Sequence, residues 1–161
     1  MRYHRQNLLE YLLKLHTDTN AALNTVTGYG DGFVEINKII FVHAIAFGPE
    51  GPVNKWPAEH PEEISTALLL QAAGLTLKPI DPMAFLDSEL PPSPEMEGTK
   101  PEVLLVGMGA RQRMLEHKVI APLLRAGVGV ECMTTEAAAR TYNILMAEGR
   151  QVIAALLPEK G

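Results

Sequence analysis

The sequence predicts a single α/β domain: a mixed central sheet with a Rossmann-like parallel C-terminal half flanked by helices, plus an N-terminal β-hairpin layer. Three observations lead there. From residue 101 onward, apolar strand-like runs alternate with helical stretches over short connections, which implies parallel pairing through right-handed crossovers. Ahead of them, two β-rich runs flank a two-residue turn at Asn37–Lys38. And 161 residues, 47% hydrophobic and 20% charged, are the length and composition of one globular domain with a sizeable core.

Each element has its own local cause. Residues 5–14 carry Leu8, Leu9, Leu12 and Leu13 on one helical face and read as a short amphipathic helix or an extension, so residues 1–13 are set apart from a domain over 14–157. "VTGYGDGFVEI" alternates after its glycines, with Phe33 and Glu35 on one side and Val34 and Ile36 on the other; Gly28, Gly30 and Gly32 supply bends or bulges. "IIFVHAIAF" then reads as one long strand, closing a hairpin. "HPEEISTALLLQAAG" reads as one helix, with Pro61 in its first turn, Glu62 and Glu63 at its positive end and Gly74 as its stop. Between residues 79 and 100, prolines and acidic residues crowd together, which predicts a mobile loop with at most one helical turn at "DPMAFL". "EVLLV" is a buried strand, "RQRMLEHKVIAPLLRAG" a helix broken before Pro122, and "VGVECM" a second strand. "TTEAAARTYNILMAEG" is a helix capped by Thr134 and stopped by Gly149, and "QVIAALL" is a third strand.

Composition bounds the partners. A net charge of −5 and a pI near 5.5 argue against nucleic acid, whose phosphates need a basic surface. No apolar run approaches the roughly 20 residues of a membrane span. Glu10 and Lys14 interrupt any secretory apolar core, so the chain reads as soluble and cytoplasmic. One cysteine, Cys132, rules out an internal disulfide, and His16, His60 and His117 show no metal-ligand spacing, so neither metal nor cofactor is expected.

The segment richest in chemistry is "PEVLLVGMGARQR". Gly107 and Gly109 stand where a first strand-to-helix turn would cradle a dinucleotide, but Gln112 occupies the third glycine position and no Gly-Lys-Ser/Thr is present. Two readings stay open: a tight turn that lets a helix pack close to the sheet, or an anion-binding loop. For the second, ligands of open parallel sheets bind beyond the carboxyl ends of the strands. That rule gathers Gly107, Met108, Gly109, Ala110 and Arg111 with Cys132, Thr134 and Thr135 as candidate ligand-binding residues, suited to a carboxylate or phosphate. Cys132 and His43 read as packing residues, and Arg140, Thr141 and Asn143 as residues that brace adjacent loops. No catalytic residue is assigned.

"LNTVTGYGDGFVEIN", Trp56 after "GPV", "PEVLLVGMGARQR", "GVGVECM" and "ARTYNILMAEGR" together resemble a small α/β domain family of unknown biochemical function, found in many bacteria and archaea. Its relatives include the adipogenesis-associated domain protein of animals and the third assembly factor of mitochondrial respiratory complex I. The resemblance covers about residues 14–56 and 101–156 and implies a mixed sheet with packed helices and an added small β layer. It implies no reaction. Met108 stands where many relatives have Thr, and Ala139 where many have Cys, so chemistry resting on that hydroxyl or thiol is not implied here. Two functions are therefore expected to compete: a non-catalytic interaction or assembly module that binds another protein, and a small-molecule anion-binding protein or enzyme using the Gly107–Arg111 loop.

Overall fold

A computed structural model describes residues 23–86, 89 and 95–160. The expected N-terminal helix, and residues 87–88 and 90–94 of the proline-rich stretch, lie outside the described residues.

The hairpin layer comes first. β1 (Val26–Gly30), β2 (Phe33–Ile36) and β3 (Ile39–Phe41) form an antiparallel three-stranded sheet in that order. Asn37 and Lys38 join β2 to β3 with φ of 48° and 69°, the doubly left-handed geometry that matches strand twist. The Asn37 side chain stabilises this turn by accepting from Thr25 N–H at 3.0 Å and donating to the Leu23 carbonyl at 3.1 Å. A register shift between Val26 and Gly28 supplies the expected bulge.

The run "IIFVHAIAF" is not one strand. It bends at Val42–His43 and changes sheets, so β4 (Ile45–Phe47) belongs to a five-stranded sheet with β5 (Asn54–Lys55), β8 (Val103–Met108), β9 (Gly129–Met133) and β10 (Val152–Leu157). The order is β5-β4-β10-β8-β9; β10, β8 and β9 run parallel, while β4 and β5 pair antiparallel. The burial pattern marks the change, because Ile39 and Ile40 are exposed whereas Ile45, Ala46 and Phe47 are all buried.

The expected helix over "HPEEISTALLLQAAG" is also divided. Pro61–Glu63 is a 3-10 turn, and α1 (Thr66–Ala73) starts afresh at Ser65, whose hydroxyl accepts from Leu68 N–H. Extended backbone at Ile64 between them sends that side chain into the core. Gly74 ends α1 in the left-handed region, as expected. Beyond it, β6 (Thr76–Leu77) pairs with β7 (Met96–Glu97), so the proline-rich segment is pinned at its base by a short ladder, and Pro82–Phe85 makes one 3-10 turn.

α2 covers only His117–Arg125 and runs through Pro122 without the expected break, giving up one helical hydrogen bond while Ala121 and Leu123 on either side are buried. Residues 111–116 are not helical. α3 (Thr135–Ala147) has the expected Thr134 cap, which accepts from Ala137 N–H at 3.2 Å, and Gly149 stands just past its end at φ 75°.

Alternation along β8 and β10 builds two cores, one on each face of the sheet. Leu104, Val106, Met108, Ala155 and Leu157 pack with α1, Leu123 of α2 and Trp56. Val103, Leu105, Val152, Ala154 and Leu156 pack with Ala138, Ala139 and Tyr142 of α3 and with Val26, Val34 and Ile36 of the small sheet. The result is the mixed α/β domain with an added antiparallel sheet that the sequence predicts.

Candidate functional site

β8 leads through α2 to β9 on one side, and β9 returns through α3 to β10 on the other. The connections diverge at β8, so the crevice of the parallel half opens between the carboxyl ends of β8 and β10. A cleft of about 460 Å³ lies there, lined by Met108, Gly109, Ala110, Arg111, Leu157, Pro158 and Lys160, with Arg113 and the Glu59–Pro61 segment on its other wall.

The glycine pair has two separate jobs. Gly109 adopts φ +88°, a conformation that glycine takes at little cost. Gly107 sits beneath α3, where a Cβ would lie 2.8 Å from Leu156 Cδ2, 2.9 Å from Thr135 Oγ1 and 3.0 Å from Thr135 Cα. Thr135 then ties the three elements together. Its N–H donates to the Gly109 carbonyl at 2.9 Å, its Oγ1 accepts from Gly109 N–H at 2.9 Å, and its hydroxyl donates to the Leu157 carbonyl. The turn is thus a packing device that leaves Ala110 and Arg111 facing solvent.

Of the sequence-derived candidates, Met108, Gly109, Ala110 and Arg111 line the cleft. Gly107, Cys132, Thr134 and Thr135 are not among its lining residues: Gly107 and Thr135 are buried, Thr134 caps α3, and Cys132 packs against the core on the α2 side. Burial pushes the Cys132 thiol above its usual range, against a smaller opposing effect of the Leu115 N–H. Lys160, His60 and Arg113 are cleft residues that the sequence pattern does not single out. Lys160 is findable once β10 is known to pair with β8, because Leu157 and Met108 are register partners and the segments leaving the two strands must meet.

Charge is unevenly spent. Arg113 is held by Glu62, whose carboxyl is lowered first by its own backbone N–H and then by that guanidinium. Among the described residues, Arg111 and Lys160 have no ion pair. A second cavity of about 310 Å³ shares Glu59, Pro158 and Lys160 with the first and continues along Lys55, Trp56, Pro57, Val42 and His43. No group of three or more His, Cys, Asp or Glu among the described residues could hold a metal.

Fold and site define a compact mixed α/β domain with a cation-lined crevice at its topological switch point. The chain belongs to the family described as "Protein of unknown function (DUF498/DUF598)", which matches residues 26–157. It is similar to a crystal structure from Bordetella parapertussis (54% identity, TM-score 0.69, 86% of this chain and 98% of that one) and to a solution structure of a Mth938-like domain from Bordetella pertussis (57% identity, TM-score 0.68, 86% and 88%). Curated relatives include an uncharacterized protein of Rhodobacter capsulatus, 48% identical over 60 residues (37% of this chain, 48% of that protein). The "13 kDa major membrane protein" of Francisella tularensis is 37% identical over 54 residues (34% and 44%). Human "NADH dehydrogenase [ubiquinone] 1 alpha subcomplex assembly factor 3" is 38% identical over 60 residues (37% and 33%). The chain spans between a third and a half of the length of these curated relatives. Among the described residues no helix is long and apolar enough to cross a membrane.

Proposed function

We propose that this chain is a non-catalytic interaction module of assembly type, a bacterial cytoplasmic domain that holds a partner protein. The observation that carries the reading is the exposed run Ile39, Ile40 and Val42, 61%, 59% and 71% accessible, on and just beyond the outer strand of the small sheet. Exposed β-branched apolar side chains on and beside an edge strand invite pairing with another chain unless something covers them. The opposite edge is held by α3 at its start, where Asn143 bonds Val26 of β1 and Tyr142 bonds Asn24 just before it. Support also comes from the relatives whose names describe an assembly factor; only that class of role is carried over, not the complex they assemble.

The test is affinity capture from the native organism with the tagged chain, alongside an Ile39→Asp/Ile40→Asp variant whose folding is checked by its melting curve. One protein recovered in near-stoichiometric amount by the wild type and lost with the variant is expected. Equal recovery by both would overturn the reading.

A second reading has its own observation. Arg111 and Lys160, both without an ion pair among the described residues, flank the Gly109 turn in a cleft of about 460 Å³, a setting suited to a small carboxylate or phosphate. A thermal-shift screen of phosphorylated and carboxylated metabolites separates the two, since a native-state ligand raises stability by mass action. A saturable shift abolished by Arg111→Ala favours the anion-binding protein or enzyme.

A further inference from the structure

The two cavities adjoin along Glu59, Pro158 and Lys160, which line both, and present one stretch of groove-like surface. Its chemistry changes along its length. Arg111 lines the first cavity, Pro158 and Lys160 line both, and Pro57, Val42 and Lys55 line the second. Arg111, Lys160 and Lys55 have no ion pair among the described residues, and the carboxylate that lines the groove with them is Glu59. A cationic groove on a chain of net charge −5 is a local inversion of the surface field, and such inversions select an oppositely charged partner and speed its approach.

We propose that this groove takes an extended acidic segment of a partner protein. A carboxylate sits against Arg111 and Lys160, and an apolar side chain sits against Val42 and Pro57. The proposal rests on the interaction-module reading and extends its surface, since Val42 both ends the exposed apolar run and lines the groove. A peptide fits better than a single-stranded nucleic acid. Bases need exposed aromatic faces on which to stack; of the two rings lining the groove, Trp56 is 1% accessible with its indole N–H donated to the Leu68 carbonyl, and His43 is half-buried, set edge-on to Phe41 with its Nδ1 2.9 Å from the Ala44 carbonyl oxygen. A peptide also fits better than a small anion, because an extended segment can engage Lys55 of the second cavity together with Arg111 and Lys160 of the first.

The experiment measures fluorescence anisotropy of a labelled hexapeptide of sequence ELEELE against the full chain, with KLKKLK, inorganic phosphate and poly-uridine as comparators. Saturable binding of ELEELE that weakens with salt is expected. It should fall at least tenfold in the Arg111→Glu/Lys160→Glu variant, fall in Val42→Asp, and persist in Arg111→Lys/Lys160→Arg. All three variants change exposed side chains, and melting curves verify their folding. Equal binding by the charge-reversed variant, preference for poly-uridine, or complete displacement of ELEELE by millimolar phosphate would each overturn the proposal. Should ELEELE fail to bind while a partner is still captured through Ile39 and Ile40, the groove assignment fails and the interaction module stands.

Discussion

Asn143 of α3 holds both backbone polar groups of Val26 in β1: its Oδ1 accepts the Val26 N–H at 2.9 Å and its Nδ2 donates to the Val26 carbonyl at 2.8 Å. Next to it, the Tyr142 hydroxyl donates to the Asn24 carbonyl at 2.8 Å. Two consecutive residues of "ARTYN" therefore fasten the small sheet to the helix, and Phe47 meets the Tyr142 ring edge-on at 4.7 Å. Of Arg140, Thr141 and Asn143, expected to brace adjacent loops, Asn143 instead holds a strand, and Arg140 pairs with Glu136 on its own helix.

Replacing Asn143 by Leu leaves two partly buried backbone groups without partners. Such a loss costs about 1–3 kcal/mol. Urea unfolding should show a destabilisation in that range, with weakened amide-exchange protection at Val26. An unchanged midpoint would mean that β1 is held by its pairing with β2 alone.

The two glycines should fail differently. Gly107→Ala meets the Leu156 side chain of β10 and the backbone and side chain of Thr135 in α3, so its cost is steric, and the Leu156 share of it should be relieved by Leu156→Ala in a double-mutant cycle. At Gly109 the nearest atom to an added Cβ is 4.0 Å away, so the cost there is strain at φ +88°, of order 1–3 kcal/mol. Asn, which tolerates that region better, should cost less at 109 than Val. Arg111→Ala, exposed and without an ion pair among the described residues, should leave the melting temperature nearly unchanged. If Arg111→Ala alone unfolds the chain, the cleft is structural.

Tyr142 makes the stability sensitive to alkali. Burial raises its phenol above the usual range, so the unfolded chain loses this proton first, near pH 10. The contribution is complete below that pH and falls as pH rises toward the higher folded-state value. Chemical denaturation between pH 8 and 11 should show a steeper decline for the wild type than for Tyr142→Phe. Parallel curves would contradict the burial of the hydroxyl.

Much of the fold is legible in the sequence because the signals are local. Asn37–Lys38 requires a left-handed pair, Thr134 is a cap and Gly149 a stop, and each can be read from a residue and its neighbours. What escapes depends on neighbours distant in sequence. The bend at Val42–His43 lies inside an unbroken apolar run, and only the second sheet explains it. The restart at Ser65 is set by the burial of Ile64. The sequence places the cleft beside Cys132 and Thr134 because β8 and β9 are neighbours, which they are; that β10 lies on the other side of β8 is a matter of strand order, which no local pattern encodes.

The most direct test of the proposed docking face is site-specific photo-crosslinking in the native cell, with the photoreactive residue placed in turn at Ile40, Val42, Arg111 and, as a control on α3, at Ile144. Ile144 is 60% exposed, so accessibility does not separate it from the others. The expected result is one and the same protein crosslinked from positions 40, 42 and 111 and not from 144. Crosslinking from 144 alone, or different proteins from each position, would contradict a single partner surface formed by the outer strand and the groove.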